Sequence, residues 1–280
     1  MNYTYWIALS NLEKLSNKEK FNLVKIFGGA EEIFQSDLFD LQKKSSLNTQ
    51  QISYVLNANI DANAVDKLYE GGIKFCCYND SDYPSLLKNI FAPPVLLYYR
   101  GNLPDIPCIS IVGSRKTTKI GRENSFEIAK FLASKGFCIT SGLARGIDSC
   151  AHLGALESGI TTAVLGSGIN VCYPPENNYL MNRIEEKGCV ISEFPINKNP
   201  SKYTFPSRNR IISGLSEAVI VVEAAKKSGS LITADFALDQ GRDVFAFQNI
   251  HSELSKGTDS IISDGAYPIN NISEFIELFS

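Results

Sequence analysis

The chain has 280 residues with a formal net charge of −3, 44% hydrophobic and 20% charged residues. That is enough chain for one large domain or two with a full apolar core, and the balance excludes a disordered tail. The near-neutral charge excludes a global field for polyanions, so any nucleic-acid contact must come from a local basic patch. Seven cysteines (76, 77, 108, 138, 150, 172 and 189) form no Cys-x-x-Cys pair, and only His152 and His251 are present. A disulfide framework and a zinc or histidine-rich metal site are therefore not expected, and no cofactor is expected. No signal-peptide pattern opens the chain, and no apolar run reaches membrane-spanning length, so a cytoplasmic protein is expected.

Residues 1–62 are read as a small all-helical domain. Leu9, Leu12 and Leu15, then Phe21, Leu23, Val24, Ile26 and Phe27, recur at helical spacing. Gly28-Gly29 stops that helix and Ala30–Phe34 begins another. The break resembles sterile-alpha-motif-like (SAM-like) and helix-hairpin-helix modules, and a plain accessory helical domain fits as well. Residues 63–280 form the second domain. It opens with a helix over Val65–Glu70, a strand over Ile73–Tyr78, a turn at Asp80–Pro84 and a strand over Val95–Tyr99.

From Ile106 strands and helices alternate. Strands are predicted at Cys108–Val112, Phe137–Thr140, Thr161–Leu165, Cys189–Glu193, Ala218–Glu223 and Asp243–Phe247. Helices are predicted near Gly121–Lys135, Ser149–Ser158, Tyr179–Lys187, Arg208–Ser213 and Leu231–Gln240. Short continuous apolar strands belong to a parallel sheet covered on both faces. The expected fold is α/β: an extended Rossmann-like, doubly wound, mostly parallel sheet.

Ligands of such sheets sit beyond the carboxyl ends of the strands. The loops there are Gly113–Thr118, Ser141–Asp148, Gly166–Asn170 and Lys226–Ser230. Their small residues admit close approach and form anion-binding nests of N–H groups. Neither a Gly-x-Gly-x-x-Gly fingerprint in the first strand–helix turn nor a Walker-type phosphate loop occurs, which counts against NAD and ATP.

The most informative stretch is Lys202–Ser216. Pro206 suits a first helical turn, which puts Arg208, Asn209 and Arg210 at a helix start beside free N–H groups. Lys202 supplies a charge for phosphate and Phe205 a flat face for a base, the pairing by which single strands are held without reading sequence. The same arginines suit a structural ion-paired role, and Phe205 suits a core position. Asp148 and His152, four residues apart, can share a helix face as a base and its orienter, but such an Asp more often caps its helix and such a His more often packs locally. Cys150 has no evident activating base.

These motifs resemble the DNA-processing protein A (Smf) family. The matching residues are Gly113-Ser114-Arg115, Ser141–Asp148 with Ala151-His152, Tyr173-Pro174 with Asn177, Ser192–Pro195, Phe205-Pro206 with Arg208–Ile212, Glu223-Ala224 and Ser228–Ala234. The resemblance spans about residues 63–265. It implies a non-catalytic protein that binds and protects single-stranded DNA during natural transformation, forms a homodimer and loads the RecA recombinase. It implies strand contacts from Arg115, Lys202, Phe205, Arg208, Asn209 and Arg210. Gly113, Ser114, Arg145, Gly229 and Ser230, in the small-residue loops, complete the expected DNA-binding set. Lys116 and Lys119 are either a wider patch or ordinary surface charges.

The chain departs from the family at Gln248-Asn249 and at Gly257-Thr258-Asp259, where an acid replaces a neutral amide. It ends soon after the sheet, which leaves no room for the winged-helix domain of some members. Leu254, Ile261 and Ile262 are apolar candidates for the dimer face. The alternative is a nucleotide-processing hydrolase akin to the cytokinin-activating phosphoribohydrolases, but Thr233 stands where their glutamate should be.

Overall fold

A computed structural model describes residues 2–248 and 253–278. Asn249 and His251 therefore lie outside the described residues. The chain opens with five short helices, α1 (Tyr3–Ser10), α2 (Asn17–Phe27), α3 (Ala30–Gln35), α4 (Leu38–Lys44) and α5 (Thr49–Leu56). Local chemistry sets their ends. Ser16 and Glu19 form a reciprocal capping box at the start of α2, and Gly28, at φ 92°, closes it in the left-handed conformation. The expected break at Gly28-Gly29 is thus a helix end followed by α3.

Next come α6 (Ala64–Glu70), β1 (Lys74–Cys77), α7 (Ser85–Lys88) and β2 (Leu96–Gly101). The alternating region supplies β3 (Cys108–Val112), α8 (Lys119–Ser134), β4 (Cys138–Ser141), α9 (Ile147–Ser158), β5 (Thr161–Val164), α10 (Asn178–Lys187) and β6 (Cys189–Ser192). It continues through α11 (Thr204–Gly214), β7 (Ala218–Val221), α12 (Gly229–Asp239), β8 (Asp243–Phe247), α13 (Lys256–Ser263), β9 (Tyr267–Ile269) and α14 (Ile272–Leu278). One nine-stranded sheet results, in the order β1-β2-β6-β5-β4-β3-β7-β8-β9. Strands β3 to β9 pair in parallel, whereas β2 runs antiparallel to both β1 and β6. The sheet is Rossmann-like and mostly parallel, as expected.

Elements α7, α13, β9 and α14 escaped the sequence reading. Asp80–Pro84 leads into the single turn α7. Edge strand β9 has three residues, too few to show a period, with Pro268 at an edge position where a missing amide is tolerated. Ile261 and Ile262, expected on a dimer face, are half-buried against the chain's own core beside Val244 and Ala246.

The helical segment is not packed apart from the sheet. Trp6, Leu9, Leu23, Ile33 and Ile52 share one apolar cluster with Leu96, Tyr98, Leu165 and Val190. Within it the Ser10 and Tyr98 hydroxyls lie 2.8 Å apart, and Lys20 donates to the Ser10 carbonyl at 2.6 Å. Burial pushes the Lys20 ammonium down to about 8, against the pull of Glu193 and Glu13.

Arg210 was expected among the phosphate ligands. It points instead into the interior and makes a bidentate pair with Glu193 (2.8 and 2.6 Å), both side chains being almost fully buried. Its Nε donates to the Ala92 carbonyl at 3.1 Å. The structural reading of this arginine is the one its geometry matches. Breaking one side of a buried pair leaves an uncompensated charge. Arg210→Met should therefore lower stability by about 3–5 kcal/mol; urea unfolding checks this, and a loss below about 1 kcal/mol would remove the pair from the core.

Helices α8 and α9 touch at Gly154, where an added Cβ would meet the Phe126 carbonyl. Backbone is in the way rather than a movable side-chain end, so Gly154→Ala should cost about 1–3 kcal/mol as overpacking. A lowered melting temperature is the expected readout.

Candidate functional site

Parallel strands β3 and β7 are neighbours, yet the chain leaves them in opposite directions: β4, β5 and β6 lie on one side, β8 and β9 on the other. The loops that follow β3 and β7 part and leave a crevice at the carboxyl edge. A cleft of about 540 Å³ occupies it, bounded by both loops and by α11.

Gly113, Ser114 and Arg115 form one wall. The Ser114 amide donates to the Glu223 carbonyl at 2.6 Å. A Cβ on Gly113 would meet Ile147 and that same carbonyl at 2.6 and 2.9 Å, so this turn needs glycine. The fully buried Glu223 carboxylate accepts the Thr118 amide at 2.9 Å and the Thr117 hydroxyl. It fixes the loop that presents Arg115 to solvent. A lone acid at a strand end gives no sign in sequence that its partners are a hydroxyl and an amide a hundred residues earlier.

The loop after β4 is pinned from inside. Asp148, in the first turn of α9, does not cap that helix; its carboxylate accepts the Gly142 and Ala144 amides at 3.1 and 3.4 Å. His152 is fully buried, with Nε2 accepting the Leu143 amide at 3.3 Å and Nδ1 2.7 Å from the Thr161 hydroxyl. Thr161 in turn donates to the Ile139 carbonyl, so the consistent tautomer carries its proton on Nδ1. Asn177 closes the set, donating to the Leu143 carbonyl at 2.8 Å and to Ser149 at 2.9 Å. Asp148 and His152 thus hold a loop, and no base-and-orienter contact joins them among the described residues.

Arg208 threads into this loop. Its Nη1 donates to the Gly142 carbonyl at 2.7 Å and to the Val164 carbonyl, and a Cβ on Gly142 would strike the guanidinium at 2.5 Å. Burial lowers its pKa to about 10, which leaves it charged at neutral pH, while burial raises the Asp148 carboxyl against the pull of Arg208. Asn209 donates to the Gly229 carbonyl at 3.0 Å. Both residues line the cleft. They lie in the second turn of α11, which begins at Thr204, and so not beside its free amides as expected. The helix start at the cleft belongs to α12, capped by Ser228 and reached through Gly229 and Ser230.

Lys202 is exposed, its Nζ 5.0 Å from the Tyr203 ring. Phe205 is half-buried: the Arg115 guanidinium lies over its ring at 5.1 Å, Gly166 backs its edge, and Tyr173 sits 5.5 Å away. Arg145 lies outside the main cleft, exposed and ion-paired with Glu176. It lines a smaller side pocket that continues past Phe205 to Tyr173. Lys227, in a loop whose cations were not singled out, also lines the cleft. Lys116 and Lys119 do not, and Lys119 lies 3.6 Å from Glu123. The cleft lining therefore carries Arg115, Lys202, Arg208 and Lys227 against a single acid, Asp148. Among the described residues, Arg115, Lys202 and Lys227 form no ion pair. Asp259 is exposed in α13, whose Gly257 amide donates to the Ala224 carbonyl at 2.7 Å.

Burial, aided by the Arg208 charge, pushes the His152 imidazole down to about 3, so the folded protein holds the ring neutral. A depressed histidine contributes stability that is full above its ordinary pKa of about 6.5 and is lost as pH falls from there towards 3. The melting temperature should fall between pH 7 and 5.5 with proton uptake on unfolding. His152→Gln should flatten that slope, and an equal slope in the variant would show that another group carries it.

A family model described as DNA recombination-mediator protein A matches residues 74–280. Over 273 residues the chain is 37% identical to Protein Smf of Synechocystis sp., a match covering 94% of this chain and 69% of that protein. It is 44% identical over 191 residues to the DNA processing protein DprA of Streptococcus pneumoniae, covering 67% of each. The X-ray structure of the Streptococcus pneumoniae protein aligns with a TM-score of 0.84 at 35% identity, over 99% of this chain and 97% of that one. A Helicobacter pylori DNA processing protein A structure, described by its single-stranded DNA binding mode, aligns at 0.68 and 29% identity over 74% of this chain and 95% of that one. With the family model spanning the sheet and relatives matching over most of the chain, this protein belongs to the DNA recombination-mediator protein A family, the DprA/Smf proteins.

Proposed function

We propose that the chain is a DNA-processing protein of natural transformation that binds single-stranded DNA in the switch-point cleft. The observation that carries this reading is the excess of unpaired cations there, beside a helix N-terminus and a glycine-built wall, which is the chemistry of a phosphate backbone. The relative described by its single-stranded DNA binding mode supports it. Arg115, Lys202 and Lys227 meet phosphates. Gly113, Ser114, Gly229 and Ser230 admit the backbone closely, and Phe205 walls the cleft. Arg208 and Asn209 shape its floor, Arg208 Nη1 engaged by the Gly142 and Val164 carbonyls and Asn209 Nδ2 by the Gly229 carbonyl. Arg210 is left out, because its guanidinium is committed to Glu193.

In this reading the chain works without catalysis, in the cytoplasm, as a homodimer that protects the strand and hands it to the RecA recombinase. Residues 1–62 serve as an accessory helical module. The unpaired cysteines suit a reducing compartment. The only acid lining the cleft, Asp148, is occupied by loop amides, which supports a binding rather than a hydrolytic role.

Anisotropy of a fluorescent oligothymidine over a range of salt tests the site. Binding should weaken by about 0.7 log units per tenfold salt for each phosphate neutralised. Lys202→Ala should reduce that slope by one such step. Arg115→Glu with Lys202→Glu should abolish binding and leave thermal unfolding nearly unchanged, since both side chains are exposed. Undiminished affinity in that double variant would move the strand elsewhere.

A further inference from the structure

The residue that meets a base is a separate matter from the cations that meet phosphates. Phe205 is the aromatic that lines the cleft, but it is half-buried, and the Arg115 guanidinium lies over its ring. Gly166 lies against its Cδ1 edge so closely that a Cβ there would strike the ring at 2.6 Å. A base cannot use the covered face while Arg115 holds that place.

Tyr173 is placed differently. It is 40% exposed and stands against Phe205 at a 46° tilt. Its support is firm: a 3-10 turn, Pro175–Asn177, follows two residues on, and Asn177 is bonded to the Leu143 carbonyl and to Ser149. A ring on a fixed backbone, already against Phe205, loses little further freedom when something stacks on it. The side pocket that Tyr173 lines shares Arg115, Ala144, Phe205 and Arg208 with the cleft, so the two spaces adjoin.

Charge separates their uses. In the cleft three cations stand without acidic partners, whereas in the side pocket Arg145 is neutralised by Glu176. A phosphate is drawn to the first; the second, at about 20 Å³, is too small to enclose a base, but its mouth is neutral and there the exposed Tyr173 ring offers an uncharged base a face to lie on. We propose that Tyr173 is the stacking platform for the base of a nucleotide whose phosphate meets Arg115, with Phe205 as the wall behind it. This rests on the strand reading above.

The test compares an oligothymidine with an abasic strand of the same length, binding to wild type, Tyr173→Ala and Tyr173→Phe. Stacking on one ring is sequence-tolerant and strong enough to read by truncation. Tyr173→Ala should lose about tenfold or more in affinity for oligothymidine and little for the abasic strand, and Tyr173→Phe should bind both like wild type. Equal losses on both strands, or none on oligothymidine, overturn the platform. Phe205→Leu separates the two rings: if it alone abolishes the difference between strands while Tyr173→Ala keeps it, the base lies on Phe205. If wild type binds neither strand, the strand reading itself fails and the platform with it.

Discussion

Three consecutive side chains of α11 hold the carboxyl edge of the sheet together. Arg208 reaches the carbonyls of Gly142, after β4, and Val164, at the end of β5. Asn209 reaches Gly229, at the start of α12, and Arg210 reaches Glu193, just beyond β6. Four connections that would otherwise diverge from a parallel sheet are fastened to one helix. The energetics are those of buried polar networks: each donor is costly to bury alone and acceptable only when its partners are in place. Hence the demand for glycine at 142, where the Arg208 guanidinium fills the space a Cβ would take.

That commitment divides the basic residues into two populations. Arg208 and Arg210 are spent on structure, while Arg115, Lys202 and Lys227 stay in water at the cleft mouth. Exposed cations keep their hydration until a polyanion replaces it, which suits reversible, salt-sensitive contact. A network of buried cations below and a ring of exposed cations above therefore give a rigid cleft with an adjustable rim. Glu223 acts at the same boundary: it does not line the cleft, yet its carboxylate fastens the Thr117-Thr118 segment and its carbonyl holds the Ser114 amide, and thereby the loop that carries Arg115.

The strand–helix rhythm was legible because buried parallel strands are short apolar runs and glycine ends their helices. The antiparallel insertion of β2 beside β6 was not, because pairing between strands some ninety residues apart leaves no local periodicity. Lys202–Ser216 announced itself as the most informative stretch, and it supplies Lys202, Phe205, Arg208 and Asn209 to the cleft lining, but the sign of Arg210's role could not be read there: its partner Glu193 stands seventeen residues earlier, in a motif that looks equally like a strand end. Pro206 pointed to a helix start, and α11 does begin at Thr204, two residues earlier than that hint alone requires. This shift of register carries Arg208 and Asn209 past the free amides into the second turn. Asp148 and His152 share a helix as their spacing implied, while the loop they pin becomes visible only once Gly142, Leu143 and Ala144 fold back over them.

The helical segment enters the same network. Asn17, the first residue of α2, donates to the Ser207 hydroxyl at 3.3 Å, and Ser207 donates to Glu193 at 3.4 Å. Lys20, one turn further on, feels the Glu193 charge from a buried position. Glu193 is thus the point where the first helices, the end of β6 and α11 meet. Its carboxylate accepts from Arg210 and Ser207 of the cleft helix, and α2 reaches it through the Asn17–Ser207 bond and the Lys20 charge, so displacement of α2 would change the environment of the residue that anchors α11. The apolar cluster that joins Trp6 and Leu23 to Leu96 and Val190 keeps α2 in that position. Packing of the helical module and orientation of the cleft helix therefore meet, in this molecule, at one buried carboxylate and the apolar seam around it.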